Sequence, residues 1–574
     1  MTRAVAAVQA SGPMTPPPRR TFMNRVWGLR NIRGLLWQRA SGPAPLPPEY
    51  HWGRVKSPFS MAPSEPPLTE AAPPAPPEPL AAKVARAHDA QEAWAHTPFQ
   101  ERVGCLLRAA RDMLARRGEA MALVEEEIGK VHAEALFTEA LGPLDAVKGW
   151  AAVLGPALAR RRVRLNPLGF PGKRAYVDAV PRGVVAIIAP WNFPVAGLYR
   201  SVFPALLSGN AIVLKPSEYS PRSSGWFAAR LAAHLPAGVV QVAPGDGTVG
   251  AALLDARPDA CVFTGSTTTG RQVAIRCAEL GIPCSAEMGG KDPAIVLADC
   301  DLERTVAGIT HWALCNAGQA CGAIEIVYAE RGIADQLVAR LRDAFTRLRV
   351  GSGHGTAADV APLANGRQLE VVKQQVDDAR SHGATVVCGG APLGEGLWFA
   401  PTVLDHCTES MAVVREETFG PVLAVVRVDG PAEAIRAANR LRYGLGASIW
   451  TRDLHRGERL AERLDYGVVS VNNHSFTGAV PSLPWSGTRA TGFGVANSTL
   501  ALATFVRPRA LVVDRRKDPE LYWMPYDDTL LELGDVLADV QASRLNRAWK
   551  LPGLMRRRIR ALRAFFGKRS PEQG

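Results

Sequence analysis

The spacing of apolar positions changes along this chain. Between residues 80 and 114 they recur three and four apart, as Val84, Ala87, Ala90 and Trp94 and then Leu106, Leu107, Ala110 and Leu114. That spacing lines one face of a helix, so two helices are predicted where folding begins. Beyond residue 180 the pattern shortens into continuous apolar runs at 184–188, 211–214, 239–242 and 260–263, with helical spacing returning over 224–235 and 269–280. Short runs without alternation mark strands buried on both faces, and strands separated by helices give a largely parallel sheet covered on both sides.

Each run ends in a polar turn: Pro190-Trp191-Asn192-Phe193-Pro194, Lys215-Pro216-Ser217-Glu218, Gly245-Asp246-Gly247 and Thr264-Gly265-Ser266. In open α/β sheets ligands gather beyond the carboxyl ends of the strands, where these four turns emerge. A second alternating block follows, with strands over 294–297, 385–387 and 422–427, a long helix over 332–348, and strand or turn signals at 401–404 and 470–472. The chain is therefore α/β with two sheet-based domains.

The flanks read differently. Residues 1–78 carry proline clusters such as Pro16-Pro17-Pro18, Pro47-Pro48, Pro66-Pro67 and Pro76-Pro77, which withhold backbone donors from helix and sheet. A largely disordered Pro/Arg-rich leader is expected, with Met61 as an alternative start and residues 22–38 as an alternative basic anchor. Beyond Asp514, Leu551, Leu554, Met555, Ile559, Leu562, Phe565 and Phe566 fall on one helical face, and Arg556, Arg557, Arg558, Arg560, Arg563, Lys568 and Arg569 crowd the remainder. A basic amphipathic helix of this kind fits an anionic membrane surface or a neighbouring subunit, and both readings stay open.

The 574 residues carry a formal charge of +13 with 47% hydrophobic content. Much of the excess charge sits in the two flanks, and no zinc-finger, basic-zipper or RNA-binding aromatic pattern accompanies it, so nucleic acid is not an expected partner. Nine cysteines without a CxxC pair favour a reducing cytoplasm and give no metal-ligand spacing, so no metal is expected. No apolar stretch is long enough to span a membrane; residues 183–199 come nearest, and Pro190 and Pro194 interrupt them.

Two loops carry candidate chemistry. Cys321 lies in Asn316-Ala317-Gly318-Gln319-Ala320-Cys321-Gly322, and Glu287 opens Glu287-Met288-Gly289-Gly290-Lys291. A thiolate attacks a carbonyl well, and a carboxylate near a desolvated thiol has a raised pKa suited to proton transfer near neutrality. A lone cysteine is ordinarily a small core hydrophobe.

These loops, the first two polar turns, Phe263-Thr264-Gly265-Ser266 and Glu416-Glu417-Thr418-Phe419-Gly420-Pro421 form a colinear set, and over about residues 80–510 the chain resembles the aldehyde dehydrogenase superfamily. The resemblance implies a Rossmann-type parallel-sheet coenzyme domain (79–161 and 180–289), an α/β catalytic domain (290–499), a small oligomerisation hairpin (162–179 and 500–510) and a C-terminal extension (511–574). It implies Cys321 as nucleophile, Glu287 as general base, and Asn192 with the Cys321 backbone N–H as oxyanion donors. The dinucleotide is expected at Ile188, Ala189, Pro190, Trp191, Lys215, Ser217, Glu218, Gly245, Gly265, Ser266, Glu417 and Phe419.

Glu218 would accept ribose hydroxyls and repel a 2′-phosphate, which favours NAD, while Lys215 and Arg222 offset that charge enough to keep NADP as the second choice. The expected reaction is oxidation of a small-molecule aldehyde to the free acid. The alternatives are transfer of the acyl group to coenzyme A, which the presence of Glu287 disfavours, and a silent membrane-associated scaffold. A homodimer or homotetramer is expected, in the cytoplasm or peripherally on the inner membrane face. Trp312, His474, Phe476 and Trp485 suggest an apolar aldehyde tunnel, and Arg489 an anchor for a substrate carboxylate.

Overall fold

The computed structural model describes residues 78–167, 169–352 and 357–567. The described residues all belong to one compact unit, Pro76–Gly574. The expected leader through residue 77, its 22–38 segment, and Lys568 and Arg569 lie outside the described residues.

Three larger sheets, with a short antiparallel pairing of Tyr443–Gly444 and Thr488–Arg489 beside them, organise the described residues. One has six strands in the spatial order Gly492–Phe493, Cys284–Glu287, Ala260–Thr264, Val184–Ile188, Ala211–Lys215, Val240–Val242. All its pairings are parallel except that of the edge strand Gly492–Phe493. From Val184–Ile188 the chain adds strands to one side and then returns to the other with Ala260–Thr264. The order thus reverses beside the turns at Ala189-Pro190 and Gly265-Ser266, the position where such sheets open a crevice.

A seven-stranded sheet runs Thr385–Cys388, Thr402–Asp405, Val422–Val428, Ile324–Glu330, Asp292–Val296, Gly446–Trp450, Val468–Val471, parallel except at its first pair. The third sheet is antiparallel and joins Arg161–Val163, Lys173–Pro181 and Val506–Asp514. The apolar runs form strands because their side chains are buried on both faces: every residue of Val184–Ile188 and Ala211–Lys215 is buried. The predicted first helix is Leu80–His96, with Val84, Ala87 and Trp94 inward, and Trp94 Nε1 donating to the Leu206 carbonyl at 3.0 Å.

The late strand takes up only the second half of the 500–510 segment read from sequence and runs on beyond it. Thr499–Ala501 and Leu502–Phe505 are helical and the strand is Val506–Asp514. Ala501, Leu502 and Phe505 have helical spacing and enter the same core as Leu206 and Phe227. The Phe505 carbonyl is held by Arg182 N and Asn210 Nδ2.

The C-terminal extension also departs from expectation. Leu551–Phe566 is a helix, but Leu554 and Leu562 are buried, and Leu554 packs with Leu533 and Val536 of the helix Asp528–Gln541. Each fully buried side chain of this size contributes about 1.5–3 kcal/mol, so much of the apolar face expected to meet a membrane is engaged within the chain. Arg558, expected on the basic face, is fully buried and donates to the carbonyls of Leu521 (2.9 Å) and Pro525 (2.6 Å), to that of Trp523, and to Asp527 Oδ2 (2.8 Å). Phe565 and Phe566 remain exposed. None of the described helices is long and apolar enough to cross a membrane.

Candidate active site

Asn316, Ala317 and Gly318, just ahead of Cys321, have φ of 54°, 55° and 74°. Left-handed backbone costs a residue with a Cβ about 1–2 kcal/mol, so the turn must be held from outside. Asn316 N donates to Glu134 Oε1 (2.9 Å), Asn316 Nδ2 to the Asn192 carbonyl (3.0 Å), and Gln319 Nε2 to the Asn316 carbonyl (3.0 Å). Gln319 Oε1 accepts from Ala364 N at 2.9 Å. Glycine is required at 318 because a Cβ there would stand 2.1 Å from the Gly420 carbonyl oxygen.

Asn192 is fastened to the same turn. Its Nδ2 donates to the Gln319 carbonyl at 3.0 Å, which leaves the second amide hydrogen for another acceptor. Its carbonyl also accepts from Lys130 Nζ at 3.1 Å. Lys130 is fully buried and paired with the buried Glu139 at 2.6 Å, and Glu139 in turn accepts from Val195 N and Ala196 N. A buried ion pair thus positions the loop carrying Asn192.

Cys321 is half-buried against Trp485 and lines a cleft of about 710 Å³ together with Asn192. Burial pushes its thiol up to about 12; Arg200 opposes that shift, and the carboxyls of Glu287, Asp292 and Glu417 reinforce it. At rest the sulfur is protonated and needs a base to become a nucleophile.

Glu287 ends the strand Cys284–Glu287, and its side chain lines a neighbouring cavity of about 20 Å³. Gly197, Arg200, Phe263 and Thr264 line both this cavity and the cleft, so the two spaces adjoin. Burial raises the Glu287 pKa, while Arg200 Nη2, 3.5 Å from Glu287 Oε2, opposes the rise. Oε1 has no hydrogen-bond partner. Arg200 also lies over the Trp485 ring, 5.2 Å from its centroid. Sequence reasoning missed Arg200, Lys130 and Glu139, whose roles depend on contacts far along the chain.

Of the residues expected to hold a dinucleotide, Ile188, Ala189, Pro190, Trp191, Lys215, Ser217, Glu218, Gly265, Ser266, Glu417 and Phe419 line the large cleft. Gly245 does not; Gly247 and Gly250, in the helix that follows it, do. Lys215 is buried and lies 3.3 Å from Glu218 Oε2. Arg222, expected to offset the Glu218 charge, pairs instead with Glu126 at 2.7 Å. Ser266 caps the helix Thr267–Leu280, and Gly270 allows that helix close approach, since a Cβ there would meet Met288 at 2.8 Å.

Glu417 Oε1 accepts from Gly290 N at 2.9 Å, and burial pushes its carboxyl up to about 8. A Cβ at Gly289 would lie 2.4 Å from that carboxylate, so the glycine keeps the approach open. The next residues hang on Glu325, another side chain the sequence did not single out. It accepts from Thr418 N and Phe419 N, both at 2.8 Å, and from Lys291 Nζ at 2.5 Å. This holds Phe419 at φ 50° with its ring edge-on to Trp191, 5.5 Å between centroids. Glu416 pairs outward with Arg442.

The expected aldehyde tunnel is only partly assembled. Trp485 packs on Cys321, but His474 is fully buried 3.4 Å from Asp292, and Phe476 is exposed. Trp312 Nε1 donates to Asn473 Oδ1 at 3.2 Å. Arg489 lines neither cavity: it donates to the Asn439 and Tyr443 carbonyls and stands over the Tyr466 ring. Its guanidinium is spent on main-chain acceptors, so it is no anchor for a substrate carboxylate.

A model of the aldehyde dehydrogenase family matches residues 61–511. The chain is 37% identical over 435 residues to 4,4'-diapolycopene aldehyde oxidase of Methylomonas sp, covering 75% of this chain and 81% of that protein. It superposes with TM-score 0.71 and 31% identity on a Mycobacterium tuberculosis aldehyde dehydrogenase complexed with NAD+, covering 75% of this chain and 89% of the other. NADP-dependent glyceraldehyde-3-phosphate dehydrogenase from Bacillus halodurans C-125, complexed with NADP, gives TM-score 0.69 and 34% identity over 76% and 91% of the two chains. The chain belongs to the aldehyde dehydrogenase family and is an oxidoreductase acting on aldehydes.

Proposed function

We propose that the protein oxidises an aldehyde to the free carboxylic acid, with NAD as hydride acceptor and Cys321 as covalent nucleophile. The observation that carries this is the joint placement of Cys321 and Asn192 in one cleft, with Arg200 linking that cleft to Glu287. The cleft fits a dinucleotide: Gly289 leaves open the space before the Glu417 carboxylate, and Lys215 and Glu218 offer a donor and an acceptor at one strand end. The nicotinamide, when bound, accepts a hydride.

Cys321 Sγ adds to the aldehyde carbon to give a hemithioacetal, and its proton leaves to a base. Asn192 Nδ2 and the Cys321 backbone N–H stabilise the oxyanion. After oxidation the sulfur carries a thioester. Glu287, its carboxyl raised by burial against the opposing charge of Arg200, removes a proton from the water that attacks the thioester, releasing the acid and restoring the thiol. Glu218, with Arg222 engaged by Glu126, supports NAD over NADP. Glu287 supports water over coenzyme A as acyl acceptor. The membrane scaffold finds no support, because much of the apolar face it needs packs inside the extension.

Arg200 favours a second reading of the substrate. A cation at the Cys321 end suits an aldehyde bearing its own carboxylate, whereas Trp485 suits an apolar chain. The three-stranded sheet is the proposed element of a homodimer or homotetramer.

One experiment tests these points together: NADH formation with aliphatic, aromatic and carboxylate-bearing aldehydes, run with NAD, NADP and added coenzyme A. Cys321→Ala is expected to abolish turnover while NAD binding persists; turnover near the original level would overturn the nucleophile assignment. Glu287→Gln is expected to slow thioester hydrolysis in single turnover, and an unchanged rate would remove it as the base.

A further inference from the structure

Three cysteines with no part in this chemistry meet beneath the cleft. Cys261 lies in the strand Ala260–Thr264, Cys277 in the helix Thr267–Leu280 and Cys284 at the start of the strand Cys284–Glu287. Cys261 and Cys284 face each other in the parallel register of their strands. The three sulfurs lie within 4.8 Å of one another, Cys261 and Cys277 fully buried and Cys284 half-buried.

Their surroundings are apolar: Leu254, Phe263, Val273, Ala286 and Met288 pack in the same cluster, with Leu280 and Ile282 at its edge. Nothing in that shell supplies a strong acceptor for three thiols. Sulfurs about 2.3 Å from a common ion, trigonal or tetrahedral, lie about 3.8–4.0 Å apart, a spacing the cluster meets with small side-chain rotations. Thiolates select thiophilic ions, and a divalent ion leaves less net charge in a dry pocket than a monovalent one.

We propose that Cys261, Cys277 and Cys284 form a structural site for one thiophilic divalent ion of the Zn(II) class, reached through the half-exposed Cys284 side. Binding exchanges three S–H protons for three metal–sulfur bonds, with a fourth position left for water. Spacing along the chain does not announce the site, since no two of these cysteines have ligand-pair spacing; the sheet and its following helix bring them together.

The placement gives the ion a mechanical role. Three residues beyond Cys261 and Cys284, about 10 Å along each strand, stand Thr264 and Glu287, and the helix bearing Cys277 starts after Ser266. One ion would join three elements whose opposite ends build the cleft.

The test uses the full chain as Cys321→Ala, so that the nucleophile does not compete, reduced and freed of metal. Titration with Co(II) as spectroscopic probe, and with Zn(II) against a chromophoric chelator, is expected to show one equivalent bound. Thiolate-to-cobalt charge-transfer absorption, three protons released per ion and a raised thermal midpoint should accompany it. Adding Cys284→Ala, which alters a half-exposed position and so spares the fold, is expected to abolish that equivalent and the midpoint shift; Cys277→Ala is expected to do the same. Undiminished stoichiometry in the Cys284→Ala protein would overturn the proposal. So would a disulfide within the trio that forms during the titration with no ion bound.

Discussion

Replacing Arg200 by methionine tests how the two cavities work together. The substitution keeps an unbranched stem over Trp485 and removes the charge 3.5 Å from Glu287 Oε2. The side chains of Arg200 and Glu287 are 19% and 14% exposed, so water screens them far less than a surface pair. An opposite charge at that range ordinarily lowers a carboxyl pKa by about 1–3 units. Burial already raises Glu287, and without Arg200 nothing opposes it. The acidic limb of thioester hydrolysis should therefore move to higher pH in Arg200→Met, and below that limb the rate should fall about tenfold per pH unit.

Arg200 also opposes the rise at Cys321, so alkylation of that thiol should slow at every pH below its titration. Arg200→Lys should restore most of both effects. The assay is single-turnover acyl release between pH 5 and 9, with iodoacetamide labelling of the Cys321 peptide as the second readout. Coincident acidic limbs in the variant and the original protein would refute the electrostatic coupling. An effect confined to KM for carboxylate-bearing aldehydes would assign Arg200 to the substrate instead.

Gly318→Ala should cut kcat by about 100-fold or more with little loss of NAD binding, because the clash with the Gly420 carbonyl displaces the Cys321 turn; initial rates and NAD titration check it. Lys130→Met leaves Glu139 charged and buried and should cost about 3–5 kcal/mol in urea denaturation, while Lys130→Met with Glu139→Gln should recover part of that; additive losses would contradict a coupled pair. Glu218→Ala should raise the ratio of kcat/KM for NADP over NAD by about tenfold, a modest figure because Glu218 is about half exposed. Arg558→Met strips donors from three carbonyls, at about 1–3 kcal/mol each, and should speed proteolysis within residues 515–527; an unchanged digestion pattern would show that Arg558 does not fasten that segment.

The sequence disclosed what depends on neighbours along the chain. Apolar runs such as 184–188 and 211–214 read as buried strands because no other element tolerates that pattern at that length, and the polar residues ending them line the cleft as expected. It could not disclose partners distant in sequence. Lys130 reads as one more lysine until folding brings Glu139 and the Asn192 carbonyl to its amine. Glu325 sits inside an apolar strand and looks misplaced until Lys291, Thr418 and Phe419 close on it. The tail erred for the opposite reason: helical periodicity in residues 551–566 was correct, but periodicity identifies an apolar face without saying what covers it. The same limit hid the cysteine trio, whose members come from two strands and a helix.

Burial alone does not tell the two site carboxyls apart, since it raises both. Their partners do. Glu417 is held by the Gly290 N–H, its loop is pinned through Glu325, and Gly289 leaves space for its carboxylate, so it is built to stay in one place. Glu287 has one oxygen without a partner and the other only at ion-pair distance from a flexible arginine. A general base must approach a proton, give it up and withdraw, and a carboxyl held on one side by charge alone can do so with little loss of bonding. Of the two, Glu417 is suited to hold a ligand and Glu287 to move a proton. Exchanging their supports, for instance by giving Glu287 a fixed donor through Val262→Asn in its cavity, should slow acyl release without weakening dinucleotide binding.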